Sequence, residues 1–229
     1  ADPAAPQTTA RLDGDAWVLD GEKVAVPWGP LADVIVVSAG GGLFAVTPDL
    51  AGVTVQPAVG TTTEPQAVLA LRGVRVPTDD AMTAPGAVQW AYEQALAAVC
   101  ATAVGVFEKA VQITAGYITE RQQFNRPIAT FQGATLKAAD TYIDLQAITV
   151  ATWSALWKLS ECSEQAADAL AIAKFWVSDG GQRIAYACQH LHGGIGVDTD
   201  YPLHRYFLWA KELDVMLGST SAQLLRVAV

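Results

Sequence analysis

Hydrophobic and polar positions alternate in short bursts along the first third of this chain and gather into long runs along the rest. Up to about residue 80, apolar runs at 17–19, 24–26, 34–38, 43–46, 53–55 and 67–71 are separated by Asp13-Gly14, Asp20-Gly21, Gly40-Gly41-Gly42 and Pro48-Asp49. Short Val- and Thr-rich runs with turn residues between them predict an antiparallel sheet or small barrel. The segment DGDAWVLDGEK, beginning at Asp13, reads as strand, turn, strand. Beyond Pro85, Ala, Leu, Gln and charged residues take over, and proline is almost absent until Pro127. The spacing predicts helices over 87–122, 131–159 and 163–190, with Ser163 as the N-cap of the third. Gly193-Gly194 closes that helix, Pro202 opens a short fourth, and a fifth begins at Thr220. The expected fold class is α+β: an antiparallel β-domain over 1–80, then an all-α bundle over 81–229.

The helices are unusually apolar. Positions 91–106 are apolar nearly all round, and Trp153, Trp157 and Trp176 stud the middle helices. Such helices are buried on more than one side. One reading is a dense internal core; the other adds a subunit interface, and an oligomer is expected.

Composition narrows the function classes. The 229 residues are 52% hydrophobic, which excludes disorder. Fourteen Lys+Arg against 23 Asp+Glu give a net charge of −9, so neither nucleic acid nor anionic lipid is an expected partner. Cys100, Cys162 and Cys188 are far apart and odd in number, which points to buried thiols in a reducing cytoplasm rather than a disulfide scaffold. The first thirty residues lack a basic start followed by an apolar core, and the most apolar stretch, 95–106, is too short to span a bilayer. A soluble, cytoplasmic protein is expected.

Two constellations stand out. His192-Gly193-Gly194-Ile195-Gly196 follows a helix rather than a strand, so it is no Rossmann fingerprint. It reads either as a helix cap with a tight turn, or as backbone left bare for a phosphate or adenosine. The second is Arg121-Gln122-Gln123-Phe124-Asn125-Arg126-Pro127-Ile128, with Phe131-Gln132 after it. Two arginines around an aromatic at a helix end suit a pyrophosphate with a ring stacked nearby, or are solvated residues at a helix stop. His190, His192 and His204 offer no metal set, because His190 and His192 face different sides of a helix and no third ligand is evident. No G-x-S-x-G occurs.

Together these segments resemble the acyl-CoA dehydrogenase family. ERQQFNRPIATFQGATLKAADTYID is similar to its R-x-x-F-G-x-P-I-x-x-F-Q block, and HLHGGIGVDTDYPLHRYFLWAK to its Q-x-H-G-G-x-G…P-x-x-R block. DGDAWVLDGEKVAV resembles its β-domain hairpin. The resemblance implies a partial middle β-domain, a C-terminal four-helix bundle and a tetramer that binds FAD. It also implies an N-terminal helical domain preceding this sequence, which the sequence lacks. In the family, one subunit's β-domain holds the isoalloxazine while its neighbour's helical domain holds the adenosine and pyrophosphate. A carboxylate removes the α-proton of an acyl-CoA thioester as hydride leaves the β-carbon for the flavin.

The departures from the pattern are selective. The family's base is the Glu of Y-E-G-T, where this chain has Leu217, or Gly218 if Thr-Ser is aligned. A second family location, twenty-nine residues before Phe124, holds Ala95, with Glu93 about 200° away round the helix. Ala25 and Pro27 occupy the places of the Trp and Thr that contact the flavin ring. By contrast Arg121, Phe124, Gln132, Gly193 and Gly194 keep the side that serves a neighbour's FAD, and His190 stands where glutamine is usual, with Gln189 one place off.

The resemblance therefore implies a chain with no catalytic residue and no metal, holding FAD at a subunit interface. It is similar to the non-catalytic subunit of actinobacterial α2β2 dehydrogenases that shorten steroid side chains. Its implied partners are a catalytic subunit, the acyl-CoA bound through that subunit, and electron-transfer flavoprotein. Two other readings stay open: a self-sufficient homotetramer with Glu93 or Asp214 as a displaced base, and a flavin-free scaffold.

Overall fold

The computed structural model describes residues 6–227. Two compact units divide the chain, Ala1–Tyr92 and Glu93–Val229.

In the first unit the alternating stretches form β1 (Thr9–Asp13), β2 (Ala16–Pro27), β3 (Ile35–Ala39), β4 (Gly42–Val46), β5 (Val53–Val59), β6 (Pro65–Pro77) and β7 (Ala81–Met82). They make a four-stranded antiparallel sheet in the order β1-β2-β6-β5 and a three-stranded sheet in the order β3-β4-β7. Inward residues of both sheets share one core, including Leu19, Val37, Phe44, Leu69, Leu71 and Val76. This is the period-2 pattern expected of strands with one buried face. The β3–β4 hairpin turns on Gly40 and Gly41, both at positive φ (50° and 87°), as a two-residue turn of matching twist requires.

The expected turn at Asp20-Gly21 does not exist. β2 runs straight through it, and the irregularity lies opposite, where Arg72 and Gly73 of β6 face Asp20 alone. The Gly73 N–H donates to Asp20 Oδ1 at 2.8 Å, which pins this bulge. Gly21 is needed for a close approach instead, since a Cβ there would lie 2.9 Å from the Thr8 Cα. A second bulge, between Lys23 and Val26, leaves Ala25 at φ 52°.

The second unit contains the helical part: α1 (Ala87–Glu120, which begins at the end of the first unit), β8 (Gln122–Gln123), β9 (Arg126–Pro127), α2 (Gln132–Ser160), α3 (Ala166–His192), α4 (Leu203–Val215) and α5 (Thr220–Val227). α1 ends at Glu120 rather than 122 because the chain turns at once into the β8–β9 hairpin, with Phe124 and Asn125 at φ 51° and 64°. α3 starts at Ala166, not at 163. Ser163 Oγ accepts the Gln165 N–H at 3.2 Å in the preceding turn instead of capping the helix.

The stretch at 95–106 is too short by itself to span a bilayer, but α1 as a whole, at 34 residues, is long and apolar enough by length and composition to cross one. In this fold it is a packing helix. Phe107, 1% exposed, rests on Gly181 of α3, where any Cβ would collide with its ring. Cys100 and Cys188 are buried, but Cys162 is exposed, contrary to expectation, because it occupies the turn after α2 at φ 50°.

The middle helices also differ from the dense-core reading. α2 buries Thr141, Leu145, Ile148, Thr152 and Ala155, whereas Trp153 and Trp157 are 62% and 64% exposed. They lie on the opposite side of the helix from those five residues.

Candidate functional site

The C-terminal turn of α1, the β8–β9 hairpin and the end of α3 enclose a cleft of about 470 Å³. Tyr117, Arg121, Gln123, Ile128 and the run from His190 to Ile195 line it. Arg121 follows Tyr117 by one helical turn, so both project to the same side. The Arg121 side chain is exposed and makes no hydrogen bond or ion pair with any described residue. An unpaired guanidinium beside bare backbone is a site for an anion with two acceptor oxygens.

Glycine serves two different purposes here. Gly193, at φ 66°, ends α3 in a conformation that side-chain-bearing residues rarely adopt, and its N–H bonds to Gln189 and His190 carbonyls. Gly194 has no positive φ, and a Cβ on it would meet nothing within 4 Å. The fold itself does not demand glycine at 194, so its bareness leaves room for a ligand.

Beneath the turn lies a network that sequence reasoning missed. His192 is buried, its ring stacked on Tyr117 with centroids 4.3 Å apart. Its Nδ1 is 2.8 Å from the Cys188 carbonyl, which can only accept, so Nδ1 carries the proton. Nε2 is then free to accept from the Tyr201 hydroxyl at 3.2 Å. Burial lowers the His192 pKa below its ordinary value, with the Cys188 carbonyl acting the other way. Tyr117 and Tyr201 gave no signal in the sequence beyond being aromatic.

Of the expected cofactor residues, Arg121, His190, Gly193 and Gly194 meet in this cleft. Phe124 does not line it. It is 88% exposed at the hairpin tip, edge-on to Phe131, over which the Arg126 guanidinium lies at 4.0 Å. Gln132 opens α2 and is exposed, also outside the lining. His190 and Gly193 additionally border a larger groove of about 840 Å³ between α2 and α3, where Arg183 bonds Asp144 at 2.7 Å and also pairs with Asp179.

The expected base positions lie elsewhere. Ala95 and Glu93 are half-buried on α1. Between α4 and α5, Leu217 and Gly218 form a turn at φ 58° and 99°. Two fully buried side chains hold it from below. Lys174 Nζ donates to Ser178 Oγ (2.8 Å), the Gly218 carbonyl (2.9 Å) and the Asp214 carbonyl (3.0 Å). Gln223 Nε2 donates to the Leu217 and Gly218 carbonyls at 3.0 and 3.2 Å. The Asp214 carboxylate accepts from Gln182 Nε2 at 3.1 Å.

Burial pushes the Lys174 ammonium down to about 8 from 10.5, outweighing the attraction of Cys100 and Asp214. Between those values the unfolded chain holds a proton that the folded chain has released, so this group makes stability rise with pH across that window. Below about 8 the whole cost of burying the cation is present. Cys100 and Cys188, pushed up to about 12 and 11, act in the opposite sense above their ordinary range. Comparison with Lys174→Met isolates the lysine: the stability of the wild type relative to the variant is expected to grow by about 1–3 kcal/mol from pH 8 to 10. Urea denaturation across that range measures it, and a pH-independent difference would refute the desolvated amine.

Comparison with known proteins fits this architecture. The C-terminal domain of acyl-CoA dehydrogenases matches residues 82–229. Acyl-CoA dehydrogenase FadE27 of Mycobacterium tuberculosis is 34% identical over 225 residues, covering 93% of this chain and 60% of that protein. Among solved structures, a variant of the Tcur3481–Tcur3483 steroid ACAD superposes with TM-score 0.93 at 40% identity, over 98% of this chain and 62% of that one. The ChsE4–ChsE5 complex from Mycobacterium tuberculosis gives TM-score 0.94 at 34% identity, with the same coverage. The chain thus spans about three-fifths of the length of the relatives it matches. Its antiparallel sheets and the helical region after them correspond to the middle and C-terminal domains of such enzymes, whose members are FAD-dependent. With the fold, the domain match and this degree of identity in agreement, the chain belongs to the acyl-CoA dehydrogenase family.

Proposed function

We propose that this chain is the non-catalytic, cofactor-completing subunit of a heteromeric, cytoplasmic acyl-CoA dehydrogenase, with residues 1–80 belonging to a middle β-domain and 81–229 to the helical domain. One contrast carries the reading. The Arg121 cleft is built and its guanidinium unpaired, while the turn that would present the base presents the hydrocarbon side chain of Leu217.

The residues present fit FAD at its nucleotide end. Arg121 would take the pyrophosphate, and the bare Gly194 backbone and the exposed His190 would border the adenosine. Phe124 and Gln132, outside the cleft lining, would serve this site from its rim. FAD, when bound, supplies the hydride acceptor. This chain's part is to bind and orient. Leu217, Gly218 and Ala95 have no group to accept a proton, and Pro27 has no N–H to offer a flavin edge.

The catalytic subunit would supply the carboxylate, the flavin-ring contacts and the acyl-CoA pocket, in an α2β2 assembly that hands electrons to electron-transfer flavoprotein. The likeness to the ChsE4–ChsE5 complex supports a heteromer, and that to the Tcur3481–Tcur3483 steroid ACAD supports a steroid-derived acyl-CoA substrate. Co-expression of the full-length chain with the catalytic subunit that co-purifies with it is expected to yield about one FAD per heterodimer, and the chain alone very little. A lone chain holding stoichiometric flavin and oxidising an acyl-CoA would overturn the proposal.

A further inference from the structure

The two walls of the Arg121 cleft come from distant parts of the chain, and a cluster of three rings joins them. Arg121 follows α1, whereas Gly193 and Gly194 follow α3. Tyr117 stands one helical turn before Arg121, and His192 stands directly before Gly193. Those two rings stack, and the Tyr117 hydroxyl donates to the His192 carbonyl at 3.4 Å. Tyr201 completes the cluster, with its ring centroid 5.3 Å from that of His192 and 6.3 Å from that of Tyr117. The His192 ring is thus held on a face by Tyr117, at Nδ1 by the Cys188 carbonyl and at Nε2 by the Tyr201 hydroxyl. Cys188 lies one turn earlier in the same helix, so Tyr201 is the brace from outside α1 and α3. Its own turn is well tied. The Tyr201 N–H donates to the Asp198 carbonyl at 3.2 Å, the Asp200 N–H to Asp198 Oδ1 at 3.0 Å, and the Tyr201 carbonyl accepts from His204 Nδ1 at 2.7 Å. Burial, and then the neighbouring Tyr117 and Glu120, hold the Tyr201 hydroxyl above its ordinary pKa, so it keeps the proton that Nε2 accepts. Tyr201 does not itself line the cleft. Its hydroxyl reaches a ligand there through His192.

We propose that Tyr201 is a positioning residue for the diphosphate of a nucleotide in this cleft: it fixes the His192 ring against Tyr117 and so presets the distance between the Arg121 guanidinium and the Gly193–Gly194 backbone. This rests on the reading of the cleft as the nucleotide end of the FAD site. A diphosphate gripped by a planar guanidinium on one side and bare backbone on the other tolerates little error in their spacing. A cleft already held at that spacing loses less freedom when the ligand enters. Without the hydroxyl, Nε2 is left buried with no donor and the ring loses its outside brace. The guanidinium and the glycine backbone would then sample a range of separations before binding.

Tyr201→Phe tests this in the full-length apo-complex, titrated with FAD well below its melting temperature, with Arg121→Ala titrated alongside. The aromatic ring stays and a hydroxyl goes, so circular dichroism should be unchanged. The FAD dissociation constant is expected to rise about three- to ten-fold, the equivalent of one neutral hydrogen bond. Nitrogen-15 labelling of the histidines of this chain alone, which are His190, His192 and His204, gives a second readout. In the wild type His192 should show a protonated Nδ1 and a hydrogen-bonded, unprotonated Nε2. In Tyr201→Phe the Nε2 resonance should move to that of a free acceptor. A residue that only stabilised the fold would lower the melting temperature and leave the dissociation constant as it was. That result, or a wild-type His192 protonated on Nε2, would overturn the proposal and leave the assignment of the cleft standing. An Arg121→Ala complex that binds FAD with full affinity would overturn the assignment of the cleft, and this proposal with it.

Discussion

Arg121→Ala is expected to strip the assembled complex of most of its flavin. The side chain is exposed, follows the last residue of α1, lines the same cleft as the bare backbone of Gly194 and has no partner among the described residues. Its loss should leave folding untouched. A charge-assisted contact of guanidinium with pyrophosphate contributes about 1.5–3 kcal/mol, which corresponds to a rise in the FAD dissociation constant of about ten- to 150-fold. Arg121→Lys keeps the charge without the planar fork and should fall between the two. Titrating the apo-complex with FAD, followed by flavin fluorescence, measures the effect. An unchanged constant would remove Arg121 from the site, and a parallel drop in melting temperature would mark the residue as structural.

The largest effect on stability is expected at the crossing of α1 and α3. Phe107 is almost wholly buried and its ring fills the space over Gly181. Phe107→Ala should cost about 3–5 kcal/mol, combining lost transfer energy with an unfilled cavity. That is a large share of the stability of an ordinary domain. Gly181→Ala should itself destabilise by about 1–3 kcal/mol, because a methyl group there meets the ring. The two changes are coupled. In the Phe107→Ala background the added methyl enters the vacated space, so its cost should vanish or reverse. Denaturant titration of the four proteins gives the cycle, and simple additivity would show that the two residues do not share a packing site.

Much of this arrangement was legible from local chemistry. Gly40-Gly41 between apolar runs announces a tight hairpin because both residues need positive φ. Gly193 after a long apolar stretch announces a helix end for the same reason. Where the sequence misled, a longer-range partner had taken over. Asp20-Gly21 has the composition of a turn, yet the Gly73 N–H claims the Asp20 carboxylate and Thr8 requires the bare Gly21, so the strand continues. Ser163 has the right chemistry for a cap, but a left-handed Cys162 directs its hydroxyl into the preceding turn. Trp153 and Trp157 carry the weight of core residues, and only the placement of α2's buried face shows that they point outward. At the candidate site, Arg121 and the two glycines were readable as a group. Phe124 and Gln132 were not separable from them, because adjacency in sequence does not say which side of a hairpin or helix end faces the cleft. The burial of Lys174 was invisible, since its carbonyl acceptors lie 40 and 44 residues further along.

Those acceptors have an evolutionary corollary. The carbonyls of the loop joining α4 and α5 are held from underneath by the Lys174 amine and the Gln223 amide. Because those bonds go to backbone carbonyls, an exchange of hydrocarbon and acid at position 217 would remove none of them. On the division of labour proposed above, gene duplication followed by such an exchange would separate one subunit that performs chemistry from one that supports it.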